Sequence, residues 1–388
     1  MKILVANLGS TSFKYRLFDF SDGRELMLAK GGFDRVSDYA ACIETTLKDL
    51  LDGGHLASEE DLAAVGFKTI LGGEISGCVR ADDTVLAALD RFSTVAPAHN
   101  PPYAAGIRQF QKRLPSVPTV ALFETAFYAW AHPASRNFAV PKEWREAGLR
   151  RYGYHGASHK FIAERSAELL GREELARGVR HLYQAGPPEV SEPCRVISCH
   201  LGGSSSITAI RNGVAFDSTM GFSPQSGLPQ NNRVGDLDSM AFPFLIKTLG
   251  LSPDAIEQSL SKEGGLLALS GVSNDMRDIE AAANEGNADA KLAIDTYIYA
   301  IRHYIGAFAA QMGGIDALAF TGGIGENNDW LREAICRDFD LLNLKIDPAK
   351  NKGTRDEADI SAAGSAAIYI IPANEELVVA RETQRLLQ

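Results

Sequence analysis

The sequence predicts an α/β protein of two domains, each organised around a strand, a Gly/Ser turn and a second strand. Three observations predict it. The 388 residues exceed one ordinary domain of ~150. The strand–turn–strand pattern occurs twice, about half a chain apart, as a duplicated βββ-type unit would. Stretches with helical apolar spacing fill the intervals.

Taken in order, Ile3-Leu4-Val5-Ala6 reads as a short buried strand, Leu8 to Ser12 as a turn, and Phe13 to Phe18 as an alternating second strand. Ser158 to Leu170 reads as a helix, with Phe161, Ile162, Leu169 and Leu170 on one face. Gln184 to Pro193 is a Gly/Pro-rich loop. Arg195 to His200 repeats the strand, Leu201 to Ser206 the turn and Ile207 to Ile210 the return, before a second turn at Arg211-Asn212-Gly213. Ala290 to Met312 carries Leu292, Ile294, Tyr297, Ile301, Ile305 and Phe308 at helical spacing. A third strand, Ala317 to Phe320, runs into a glycine turn ending at Gly325, and Asn374 to Leu387 closes the chain as a helix.

Composition narrows the function. With 39 Lys+Arg against 49 Asp+Glu, a net charge of −10, a non-specific grip on nucleic acid or an anionic membrane is disfavoured. No apolar run approaches the ~18 residues of a membrane span, and Met1 to Asn7 is too short for a signal peptide. Five scattered cysteines without CxxC spacing read as reduced thiols of a cytoplasmic protein.

The 36 glycines, above the usual ~7%, concentrate attention on the three Gly/Ser turns. Successive N–H groups in such turns make a concave anion cradle, and Ser or Thr hydroxyls add donors. None has the GxxxxGK[ST] pattern or a GxGxxG opening a helix, so a P-loop or dinucleotide fold is disfavoured. His155 and His159 have the spacing of two helical metal ligands, but no third ligand stands nearby. Taken alone, Arg233 would be a surface charge and Glu375 a solvated acid at a helix start.

The motifs change that weighting. Asn7-Leu8-Gly9-Ser10-Thr11-Ser12-Phe13-Lys14 resembles the opening phosphate hairpin of the acetate kinase family. Further family signatures stand at Arg151 to His159, Ser198 to Gly202, Met220 to Pro224, Phe320 to Asn327 and Asn374 to Leu377, so the resemblance spans essentially the whole chain. It implies two ribonuclease H-like domains of the sugar kinase, Hsp70 and actin superfamily, residues 1–128 plus 377–388 and residues 129–376, with a nucleotide cleft and a homodimer interface in the second. It also implies reversible phosphorylation of a small-molecule carboxylate by ATP with Mg²⁺.

Residue by residue, Arg233 matches the arginine that stabilises the transferring phosphoryl group and His155 the histidine that donates to it. Asn7 and Glu375 match positions on the metal side, and Ser10 and Lys14 belong to the phosphate hairpin. His200, Gly202 and Gly203 match the second turn, while Asp275, Met276, Arg277, Gly323, Ile324 and Asn327 match segments around the nucleotide. The acyl pocket would comprise Lys68, Ile70, Ala98, Tyr154 and Pro224.

Several positions depart from the family pattern. Where Gly-His-Arg-Val-Val-His-Gly-Gly is usual, Gly66 to Gly73 loses both histidines and carries Lys68 for the arginine, which removes the planar fork. The catalytic aspartate of Asp-Thr-Ala-Phe becomes Glu124. Gly203 replaces an asparagine, and Gln230-Asn231-Asn232 precedes Arg233 where Met-Gly-Thr is usual. Ala98 replaces a leucine and Tyr154 a phenylalanine, so an acid larger or more polar than acetate is expected. Two other readings stay open: an impaired paralogue that binds nucleotide or acyl phosphate, and a kinase acting on a hydroxyl with Glu124 as base.

Overall fold

Two six-stranded mixed sheets carry the fold. The structure is a computed structural model that describes residues 1–9, 12–97 and 99–388. The phosphate contact expected of Ser10 and the pocket position Ala98 therefore lie outside the described residues.

The chain divides into two units, 1–129 with 154–161 and 374–388, and 130–153 with 162–373. In the first, β1 (Lys2–Gly9), β2 (Ser12–Asp19) and β3 (Leu26–Asp34) form an antiparallel meander. Next, β4 (Leu62–Thr69) lies parallel to β1 and β6 (Thr119–Phe123) parallel to β4, with short β5 (Cys78–Arg80) antiparallel at the edge. The second unit repeats every relationship. Its meander is β7 (Arg195–His200), β8 (Ser206–Arg211) and β9 (Val214–Ser218). Then β10 (Ala317–Thr321) is parallel to β7 and β12 (Ala367–Ile370) to β10, with β11 (Ala358–Asp359) antiparallel at the edge. The duplication read from two turns extends to all six strands.

Burial explains the sequence pattern. The interior strands β6 and β10, each flanked by a strand on either side, are buried throughout, so they read as nearly unbroken apolar runs. In the first unit Phe67 meets Phe110 edge-on at 5.5 Å, joining β4 to the helix Asn100–Arg113. In the second, the helix Ala288–Met312 lays Tyr297, Ile301 and Ile305 over Ile197 and Leu318.

One expectation is corrected. The third glycine segment is no hairpin turn: Gly322–Asn327 is a short helix that follows β10 directly. Gly322 takes φ +78, the left-handed backbone that lets the chain leave the strand and wind at once.

Candidate active site

Ligands of open parallel sheets collect at the carboxyl ends of the strands, and the expected residues stand there. Asn7 is near the end of β1, Lys68 near the end of β4, and Glu124 directly follows β6. The strand register pairs Ala6 with Phe67 and Lys68 with Leu122, which brings these ends side by side.

The structure draws five charged or polar groups of the first unit together. Lys68 Nζ donates to Glu375 Oε2 at 2.6 Å and lies 4.0 Å from Glu124 Oε1. Tyr103, from the helix Asn100–Arg113, donates its hydroxyl to Asn7 Oδ1 at 2.8 Å. Sequence reasoning missed Tyr103, because an apolar-face tyrosine in a helix carries no pattern of its own. Lysine burial opposes its charge, but the carboxylates of Glu375 and Glu124 more than offset that and hold it protonated.

Glu124 is the unusual member. It is 1% exposed, and neither carboxyl oxygen makes a well-formed hydrogen bond among the described residues. Burial raises its pKa well above the ordinary carboxylate range, against the pull of Lys68 and with a further push from Glu375. Its backbone meets the start of the helix Gly156–Leu169 so closely that a Cβ on Gly156 would lie 2.0 Å from the Glu124 carbonyl oxygen. His155, just before that glycine, holds φ +58, a left-handed backbone costly for a non-glycine residue. Ile70 and Tyr154, expected in the acyl pocket, are both buried.

In the second unit the two glycine segments dock on each other. The Leu201 carbonyl accepts from the N–H groups of Ile324 and Gly325 at 2.8 and 3.1 Å, and Gly322 donates to Glu326 Oε1 at 2.8 Å. Those donors are spent within the protein. The N–H groups of Gly203, Ser204 and Gly323 have no partner among the described residues, which makes them the donors left for an anion. Gly202 anchors the turn through Ser205 Oγ at 3.2 Å, and that hydroxyl meets Tyr297 at 2.8 Å. His200 ends β7.

Arg233 lies beside this turn, its Nη1 3.1 Å from Ser204 Oγ and 3.2 Å from Gln230 Oε1. It ion-pairs with no carboxylate among the described residues, and burial lowers its pKa. Asn231 Nδ2 sits 3.2 Å from where a Cβ on Gly203 would be, which puts a side-chain amide beside the turn.

Other expected nucleotide residues are more dispersed. Asp275 caps the helix Met276–Asn284 and pairs with Arg277 at 2.5 Å, both outside the glycine cluster's hydrogen bonds. Met276 is buried in the core. Asn327 Nδ2 donates to the Gly323 carbonyl at 2.8 Å, and Ile324 is buried against the same turn. Lys14 is exposed on β2 opposite Asn7, and Pro224 is buried, accepting from Gln230.

Residues 28–381 match the Acetokinase family. The chain belongs to that family. Among relatives of this acetokinase-family chain, acetate kinase of Heliobacterium modesticaldum is 40% identical and that of Moorella thermoacetica 39%, each over the full length of both chains. Porphyromonas gingivalis acetate kinase has a similar structure (TM-score 0.86, 34% identity, all of both chains). So has a propionate kinase from Francisella tularensis (TM-score 0.86, 32% identity, 99% of each). The acetokinase-family chain is therefore a kinase, and it shares the two-sheet fold of those enzymes. Among its described residues no helix is long and apolar enough to cross a membrane.

Proposed function

We propose that this chain transfers the terminal phosphoryl group of ATP to a short-chain carboxylate, giving an acyl phosphate and ADP, and runs the reverse reaction. The observation that carries the reading is Arg233: a half-buried guanidinium that ion-pairs with no carboxylate among the described residues, beside three unspent backbone N–H groups. A partly desolvated cation without a counter-charge is stabilised by a bound anion.

The reaction needs no proton transfer. A carboxylate oxygen bonds to the terminal phosphorus, the bond to the bridging oxygen breaks, and its electron pair leaves with ADP. Catalysis is positioning and charge. Arg233 and His155 would take the charge of the phosphoryl oxygens. The N–H groups of Gly203, Ser204 and Gly323 would hold phosphate, and Ile70 and Tyr154 would wall the acyl group.

Asn7, Glu375 and the orphaned oxygens of Glu124 fit Mg²⁺, a hard cation that takes one or two carboxylates and keeps the rest of its shell for water and phosphate. Bound there, Mg²⁺ would supply neutralising charge for the phosphates. Lys68 then balances Glu375 and Glu124 more than it grips substrate. A homodimer is supported by the helix Ala241–Leu249, which buries none of its residues and exposes Phe242, Phe244, Ile246 and Leu249. A cytoplasmic location is supported by five unpaired cysteines.

The test is acyl phosphate formation over acetate, propionate, butyrate and lactate with Mg-ATP, trapped as the hydroxamate. Product is expected, with the highest kcat/KM on an acid larger or more polar than acetate. A phosphate ester in the phosphorus NMR spectrum, stable to hydroxylamine, would overturn the reading. A clear preference for acetate would remove only the claim about size.

A further inference from the structure

Gln230 is wholly buried, and a buried carboxamide needs its donors and acceptor met. Its Oε1 accepts from Ser204 Oγ at 2.9 Å, the Ser205 N–H at 3.3 Å and Arg233 Nη1 at 3.2 Å. Its Nε2 donates to the Pro224 carbonyl at 2.7 Å. Three donors on one side and a carbonyl on the other fix which end of the amide is which.

Ser204 Oγ accepts from the same Nη1, so one nitrogen of Arg233 is clasped by a carboxamide and a hydroxyl. Its Nε and Nη2 make no hydrogen bond to any described residue. The backbone beneath is braced separately. Gln230 N–H donates to the Arg233 carbonyl at 3.0 Å and Leu266 N–H to the Gln230 carbonyl at 2.8 Å. A Cβ on Gly265 would fall 2.1 Å from the Gln230 carbonyl oxygen, so that contact admits only glycine.

We propose that Gln230 is a positioning residue that aims the Arg233 guanidinium while leaving its charge unspent. The inference rests on Arg233 serving the transferring phosphoryl group. A carboxylate in the same place would hold the guanidinium more strongly and cancel the charge the substrate needs. An apolar side chain would release a long, flexible arginine and strand the Ser205 N–H. A neutral acceptor does neither. It fixes one nitrogen and directs the remaining donors outward, and misplacement by about 1 Å at such a site costs on the order of 10²-fold in rate.

Two variants separate this from a structural role. Gln230→Glu keeps the acceptor for Ser204, Ser205 and Arg233, loses the donation to the Pro224 carbonyl, and adds a charge that pairs with the guanidinium. Gln230→Leu keeps most of the volume and removes the acceptor. Both are expected to fold, by circular dichroism and thermal melts, and to lower kcat by about tenfold or more with KM for ATP changed by less than about threefold. Wild-type kcat in Gln230→Glu, which keeps all three acceptor contacts and loses the donation to Pro224, overturns the proposal. Calorimetric titration with inorganic phosphate provides a reading independent of turnover, with weaker binding expected for Gln230→Glu. Equal phosphate affinity in wild type and Gln230→Glu overturns the proposal even if the wild-type chain makes no acyl phosphate. Absence of acyl phosphate from the wild-type chain overturns the kinase reading instead.

Discussion

Glu124 shows what one residue costs and what it reveals. Its carboxyl is buried without a well-formed hydrogen bond, and its proton affinity in the folded chain exceeds that in the unfolded chain. A raised pKa gives stability that is full below the unfolded value near ~4.3 and is lost as pH rises through the folded value. The urea midpoint of the ligand-free protein should therefore fall from mildly acidic to mildly alkaline pH. Glu124→Gln should flatten that fall, by on the order of 1.4 kcal/mol for every tenfold excess of proton affinity that the substitution abolishes. Parallel curves for the two proteins would show that Glu124 is not held protonated. Nearby, Lys68 spends its positive charge on Glu375. An ammonium pairs with one oxygen where a guanidinium fork could have held a carboxylate and still reached outward.

Elements decide where those residues stand. The helix Gly156–Leu169 approaches the Glu124 backbone to within a distance that only glycine permits. Gly156→Ala should cost about 1–3 kcal/mol in urea unfolding through overpacking, and should lower turnover by displacing Glu124 and His155 together. Unchanged stability would mean that the contact relaxes freely. The hairpins, the long helix at Ala288–Met312 and the strand at Ala317 were legible because apolar periodicity and Gly/Ser punctuation state them directly. The helix at Gly322–Asn327 was not, since glycine signals a turn unless the strand behind it and the Leu201 carbonyl are known to catch its N–H groups. Buried charges carry no such signal. Lys160 sits in a helix where an exposed face is the default, yet it is buried with Glu382 at 3.2 Å, and Arg385 closes on the same carboxylate. Long-range pairing of that kind leaves no trace in local pattern. The motif match reached Arg233 and Glu124, while Tyr103 and the clasp formed by Gln230 needed coordinates.

At the scale of the whole molecule, two sheets of identical strand order are joined in one chain, and each bears its own cluster of polar groups at its strand ends. The second unit also presents the apolar helix Ala241–Leu249 to solvent. If that face is covered by a second copy, Phe244→Asp should halve the mass measured by light scattering. A wild-type protein that is already monomeric would remove the dimer. The path of the chain has a separate consequence for synthesis. The helix Glu375–Leu387 belongs to the first unit although it is made after the second, and it carries the Glu375 that pairs with Lys68. Translation proceeds at roughly 5–20 residues per second and domains tend to fold in the order they emerge. The first unit therefore cannot close when its own sheet has emerged: it waits for a helix made after the whole of the second unit. The ion pair at its strand ends forms only then, so a ribosome that stops short leaves a chain whose older half is the unfinished one.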